Sequence, residues 1–260
     1  MTTPSILLQA KEKFAKLLES RGLQDLQISI SAEPLSSEEA IGHPTRRDFP
    51  IVEGKEKMIE ARIERSKDQV LAKGQAFTDQ PGNFTGTLQD LMDLPLDNNQ
   101  HRAFFIAGMN AVLRHLRLTD RTVHCKDEDP EKCSREIAAF LLEKHGRLRV
   151  GLIGLNPAIL QALSETFGGA NVLCTDLNPD NINKLKFGVT IWDGHIGRDD
   201  LILQSDLILF SGTTLVNDTF DGIFGAIKKL NRTYYVYGIT GAGVCQLMNL
   251  NRICFYGRDC

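Results

Sequence analysis

The chain has 260 residues, 30 Lys and Arg against 33 Asp and Glu for a net charge of −3, and 42% hydrophobic residues. That balance argues against a nucleic-acid surface, no apolar run approaches the roughly 20 residues that span a bilayer, and the length accommodates two modest cores. Met1 to Pro4 lacks the basic-then-apolar order of a secretory leader, so a cytoplasmic protein is expected, with its six cysteines mostly free thiols rather than a disulfide framework.

Pro4 to Ser20 carries Ile6, Leu7, Phe14, Leu17 and Leu18 at helical spacing and stops before Gly22, which predicts an amphipathic helix laid over a small sheet. Leu26, Ile28 and Ile30 alternate as in a strand, as do Ile59, Ala61 and Ile63. Met58 to Glu64 also tolerates a helical reading, but Lys73 to Asp79 supplies a returning strand partner. Asp79 to Gly86 is a turn-rich loop broken at Pro81-Gly82, followed by a short helix from Thr87. Its polar density suits either an ordinary surface loop or the second wall of a site. Asn98 to Leu116 predicts an apolar helix in which Asn110 either points into an interdomain cleft or, as expected, is a hydrogen-bonded structural amide.

His124 to Cys133 is the densest collection of possible metal ligands. Asp129 followed by Pro130 reads as a helix start, with Asp129 as cap, and the helix continues through Ile137 and Leu141 to His145. Cys133 then falls near a helix N-terminus, where the field favours a thiolate. Cys125 and Cys133 do not have the tight Cys-x-x-Cys spacing of familiar zinc sites. Packing is their expected role and no metal site is assigned, with a soft-metal role left open.

From Arg149 short apolar runs alternate with helices. Val150 to Ile153 is a strand, Asn156 caps a helix over Pro157 to Phe167, and Val172 to Cys174 delivers Asp176 where dinucleotide-binding domains place a ribose-binding acid. Gly151-x-x-Gly154 is not the full glycine fingerprint. Lys186 to Trp192 contains a strand, and Asp193-Gly194 is a turn that carries His195. Leu207 to Phe210 is a buried strand opening onto Gly212, Thr213, Thr214 and Asn217, with a helix from about Val216. Thr233 to Tyr237 is a strand, Gly238 to Gly243 a turn feeding a short helix, and Arg252 to Tyr256 a last strand. The turns around Asn156, Thr213 and Thr240 all follow parallel strands and should share one sheet edge, where ligands of open α/β sheets bind. The candidate ligand-binding residues are Asn156, Asp176, Asn178, Gly212, Thr213, Thr214, Asn217 and Thr240.

Gly74 to Asp79 with Gly82 to Gly86, Gly108 to Ala111, and Ser211 to Asn217 together resemble a family of heavy-metal-chelation domains of uncharacterised activity. The resemblance implies an α/β fold in which a small α+β enolase N-terminal-like domain, residues 1–120, precedes a Rossmann-like domain with a mostly parallel sheet, residues 121–260, with the N-terminal helix packing either on the first domain or elsewhere. It also implies a site in the interdomain cleft and a transition metal as the cofactor class. The second half has no room for an enolase barrel, so the fold analogy supplies no reaction. The expected function is binding or processing of a metal ion, metal complex or metal-chelating small molecule. Thr213, Thr214 and Asn217 would orient it, Asp176 and Asn178 would offer oxygens, and Asn156 and Thr240 would flank it. An enzyme using an adenosine cofactor, either a methyl donor or a dinucleotide, is the alternative resting on Asp176; a non-enzymatic ligand sensor is the third. Whether the chain is an enzyme, or assembles as a homo-oligomer, stays open.

Overall fold

The computed structural model describes residues 4–23, 29–66 and 69–259. In chain order the elements of the first half are α1 (Ile6–Ser20), β1 (Ser29–Leu35), α2 (Ser37–Ile41), β2 (Lys57–Ser66), β3 (Gln69–Thr78), β4 (Phe84–Gly86), α3 (Leu88–Asp93) and α4 (Asn99–His115). Then come α5 (Asp129–His145), β5 (Val150–Ile153), α6 (Pro157–Phe167), β6 (Val172–Asp176), β7 (Leu185–Lys186), β8 (Val189–Asp193), α7 (Arg198–Gln204), β9 (Leu207–Ser211), α8 (Phe220–Lys229), β10 (Thr233–Tyr237), α9 (Ala242–Met248) and β11 (Arg252–Ile253).

These strands form two sheets. The first is antiparallel in the order β3-β2-β1-β4; the second runs β11-β10-β9-β5-β6-β8-β7 and is parallel except for the β7–β8 pair. The fully buried runs Val150–Ile153 and Leu207–Phe210 are central strands of the second sheet, as parallel strands covered on both faces require. The chain is thus an α/β protein with a four-stranded antiparallel domain and a seven-stranded, mostly parallel one.

The two sheets share a core. One cluster of buried side chains runs from Ile30, Ile59 and Phe105 to Phe210, Phe220 and Val244. Helix α4 lies between the halves, packing on β2 and β3 and on α9, and every residue from Arg102 to Leu113 is buried. Helix α1, capped by Ser5, takes the second of its two expected places and packs beyond the small sheet. It packs on α9, sets Phe14 edge-on to Phe105, and donates its Ile6 N–H to Asp221 of the second half at 2.8 Å. It therefore fastens the two domains together.

Other departures have local causes. Leu26 and Ile28 lie outside the described residues, so the strand expected there is described only from Ser29. Phe84–Gly86 pairs with β1 inside the stretch read as a loop, being too short for alternation to show. The Lys186–Trp192 strand is a hairpin of β7 and β8 turned at Phe187 and Gly188, both with positive φ. Helix α7 was not expected, because only Leu201 and Ile202 are buried in it while Leu203 is exposed, which hides its periodicity. Helix α8 begins at Phe220 rather than near Val216; Gly212–Leu215 forms a separate 3-10 turn. The last strand stops at Ile253. Asp129 does not cap α5: the cap position is Glu128, and Asp129 instead accepts from Arg258 at 2.9 Å. Among the described residues, no helix is long and apolar enough to cross a membrane.

Candidate functional site

The carboxyl ends of β5, β6, β9 and β10 open into a cavity of about 780 Å³ that β3 and the segment before β2 close from the other side. This is the size range of small-molecule sites. The segment between α2 and β2 is drawn over the strand ends by polar contacts. The Thr45 hydroxyl donates to Glu128 at 2.5 Å, Arg46 pairs with Glu131 at 3.1 Å, and Lys55 pairs with Asp180 at 3.3 Å. Phe49, Ile51 and Glu56 are thereby placed on the cavity wall.

The halves are also sewn together beneath the cavity. The Thr240 hydroxyl accepts from the Phe77 N–H at 3.1 Å. The fully buried Asn110 amide donates to the carbonyls of Gln75, Ile239 and Thr240 and accepts from the Gly243 N–H at 2.7 Å. Asn110 is therefore the structural amide expected of it, bridging the two domains. Gly212 is required by a close approach: a Cβ there would collide with the Gly241 backbone. Gly212 is buried against that neighbour and is not on the cavity wall, unlike the other seven residues of the candidate set.

Those seven are brought together, though not as free oxygens. The Asn156 carbonyl accepts from the Ala158 and Ile159 N–H groups at 3.1 Å, capping α6. Asn178 Oδ1 accepts from the Asp180 N–H at 3.0 Å, and Asn217 Oδ1 accepts from the Thr219 hydroxyl at 2.7 Å. Each amide has its oxygen engaged, which leaves its NH₂ group as a donor toward the cavity it lines. Thr214 donates to the Ser211 carbonyl at 2.7 Å, and the Ser211 hydroxyl accepts from the Thr213 N–H at 3.1 Å. Asp176 accepts from the Leu177 N–H at 2.8 Å and from the Asn181 amide at 2.5 Å.

The cavity contains chemistry that the sequence reading did not single out. The partly buried Glu56 carboxyl is pushed up to about 7 by burial and then by the negative charges of Asp176 and Asp79. No hydrogen bond or counter-ion to it is found among the described residues. Burial likewise raises Tyr237, with Glu56 adding to the effect, so its phenol stays protonated; it donates to the Gly154 carbonyl at 3.4 Å. The Thr175 hydroxyl, also on the wall, is buried without a hydrogen-bond partner among the described residues. His124 is driven down to about 4 by burial, so it is neutral. Its Nδ1 lies 2.6 Å from the Cys125 carbonyl, which can only accept, so Nδ1 carries the proton.

The opposite wall holds three of the cysteines, Cys125, Cys133 and Cys254. The expectation of a thiolate at Cys133 is reversed. The neighbouring Cys254 and burial hold the Cys133 thiol well above its ordinary value. Cys254 is shifted the other way, downward, by the neighbouring Cys133, helped by Arg252, the Gly257 N–H and Arg121 against the cost of burial. Burial pushes Cys125 up to about 12. Cys260 lies outside the described residues.

Residues 136–247, which carry α6, β5, β6 and the strand ends of the cavity, match the DUF364 family model, described as "Putative heavy-metal chelation". Over this stretch, less than half of its length, the chain is similar to the DUF364 family. A DUF364 protein of unknown function from Pyrococcus horikoshii has a crystal structure similar to this one, with a TM-score of 0.54 at 16% identity over 91% of this chain and 80% of that one. At that identity the likeness concerns the fold. A second DUF364 protein of unknown function, from Desulfitobacterium hafniense, gives a TM-score of 0.46 at 12% identity over 74% of this chain and 72% of that one. No curated protein matches the chain.

Proposed function

We propose that the cleft binds a small molecule that carries a metal ion or is able to chelate one. The observation that supports this reading is the pairing of two kinds of group on one cavity. Amide NH₂ donors of Asn156, Asn178 and Asn217 suit the oxygens of a chelator, and the carboxyls of Glu56, Asp79 and Asp176 suit a positive centre. The partnerless Thr175 hydroxyl adds a buried polar group for a ligand to satisfy. Among the described residues no three His, Cys, Asp or Glu side chains gather as metal ligands. The residues therefore fit a metal that arrives with ligands of its own as cargo, better than a resident ion held by the protein alone. The family's description agrees in kind. Calorimetry of tag-free protein against free chelators and their transition-metal complexes tests the proposal. Asn217→Asp keeps the Thr219 contact but removes the NH₂ donor, and at least tenfold weaker binding is expected. Silence of the whole panel would sink the reading.

The second reading, an adenosine cofactor on the parallel sheet, draws on the position of Asp176 at the end of β6, beside the central strand β5. Against it, Asn156 already occupies the first free N–H groups of α6, where a pyrophosphate would sit. A thermal shift with a methyl donor or dinucleotide that disappears in Asp176→Ala would favour it.

A further inference from the structure

We propose that the cleft holds a subsite for a protonated nitrogen, which makes its ligand an organic cation of the ammonium or amidinium class carried on an apolar body. The subsite lies where the start of β2 and the end of β3 face the end of β6, and its acceptors are Glu56, Asp79, Asp176 and His124. It rests on the reading of the cleft as a small-molecule site and needs no metal.

Three acids reach this part of the cavity from separate elements. The last pair of the β2–β3 ladder is Lys57 with Thr78, and the same register one step further sets Glu56 across from Asp79. Asp176 ends β6, and the ion pair of Lys55 with Asp180 at 3.3 Å draws the chain at Glu56 against the turn that follows. The cations on the wall are engaged elsewhere: Lys55 also pairs with Glu53 at 3.2 Å, and Arg198 pairs with Asp199 at 2.8 Å. Asp79 accepts from the Asn99 amide at 2.7 Å, and Asp176 accepts from the neutral donors Leu177 N–H and Asn181. Among the described residues no Lys, Arg or His makes an ion pair with Glu56, Asp79 or Asp176. Their charge is left for a ligand to meet.

Two neutral groups extend the acceptor surface. The chain before α5 runs alongside β3, for the Gln75 N–H donates to the Thr122 carbonyl at 2.9 Å and the His124 N–H donates to Gln75 Oε1 at 2.7 Å. This sets the His124 ring edge-on to Phe77, with centroids 5.4 Å apart. Its Nδ1 proton goes to the Cys125 carbonyl, so Nε2 keeps a lone pair, and Nε2 makes no hydrogen bond among the described residues. The Thr175 hydroxyl, buried and without a partner among the described residues, is a further acceptor. A bare metal ion needs its ligands gathered at one point, and among the described residues no three His, Cys, Asp or Glu side chains gather so. An ammonium or amidinium group instead spreads its N–H donors over separated acceptors, each as a charge-assisted hydrogen bond. Phe49, Ile51 and Phe77 on the same cavity supply apolar cover for the rest of the molecule.

The test titrates the full chain at pH 8 with three probes of one shape and different charge, benzamidinium, benzamide and benzoate, and follows binding by protein-observed NMR. Benzamidinium should bind about tenfold tighter than benzamide, the gain of charge-assisted over neutral hydrogen bonds, and benzoate should bind weakest. Glu56→Gln and Asp79→Asn should each remove most of that preference and leave benzamide unchanged. Glu56→Gln keeps the shape of the side chain, so it decides the matter even where Asp79→Asn fails to fold. Equal binding of benzamidinium and benzamide, tighter binding of benzoate, an unchanged preference in Glu56→Gln, or no binding of any probe would each overturn the proposal. Silence of the chelators with the charge preference intact would sink the metal reading and leave this subsite standing; chelate binding without the charge preference would do the reverse.

Discussion

Replacing Glu56 by Gln isolates the electrostatic character of the cleft. The Glu56 carboxyl stands at about 7 in the folded protein against an ordinary 4.5, because burial and the neighbouring Asp176 and Asp79 disfavour its charge. The folded state therefore keeps a proton that the unfolded chain releases. Below pH 4.5 both states are protonated and nothing is lost; as pH rises from 4.5 to 7, unfolding releases a proton and stability falls; above 7 the loss is complete. At 1.36 kcal/mol per pKa unit the full loss is about 3 kcal/mol, an upper bound because part of the carboxyl faces the open cleft. Gln keeps the shape and removes the charge. Urea unfolding followed by circular dichroism at pH 4.5 and pH 8 should show Glu56→Gln close to wild type at the lower pH and up to about 3 kcal/mol more stable at the higher one. The same carboxyl should strengthen the binding of a cationic complex above pH 7, where a positive centre stabilises its charge. A variant no more stable than wild type at pH 8 would refute the account of Glu56 as an unpaired, desolvated acid.

Two further substitutions probe the frame and the opposite wall. Asn110→Ala removes the amide that ties β3 to the turn before α9 and strands the buried Gly243 N–H, so urea unfolding should show a loss of about 2–4 kcal/mol. A variant within 0.5 kcal/mol of wild type would show that the interdomain tie is dispensable. His124 is held at about 4 against an ordinary 6.5, so its folded form stays neutral where the unfolded chain takes up a proton. Stability is lost as pH falls from 6.5 towards 4, by up to about 3 kcal/mol, and a unfolding series on His124→Gln should lack that part of the acid slope.

What the sequence disclosed, and what it withheld, follows from the range of the interactions. The edge of the parallel sheet was legible because each of its parts is local: Val150–Ile153 and Leu207–Phe210 are buried runs, and Asn156-Pro157 is a cap and first-turn pair within two residues. Seven of the eight candidate residues accordingly face one cavity. Gly212 does not line the cavity because a glycine after a strand can admit either a ligand or another backbone, and here Gly241, 29 positions later, takes the space. Glu56 was missed for a related reason. It follows a segment without period, rich in proline and charge from Pro44 to Pro50, whose position is set by Thr45, Arg46 and Lys55 reaching partners 83 to 125 residues away. Such a segment between two regular elements was itself a signal, since an aperiodic stretch with many charges needs distant partners to be ordered. The cysteines carry the same lesson. Spacing compares Cys125 with Cys133, but the same cavity wall also takes in Cys254, which only the return of β11 to the edge of the parallel sheet brings there. Chemistry written in neighbouring residues can be read from the chain; chemistry made by sheet order has to wait for the fold.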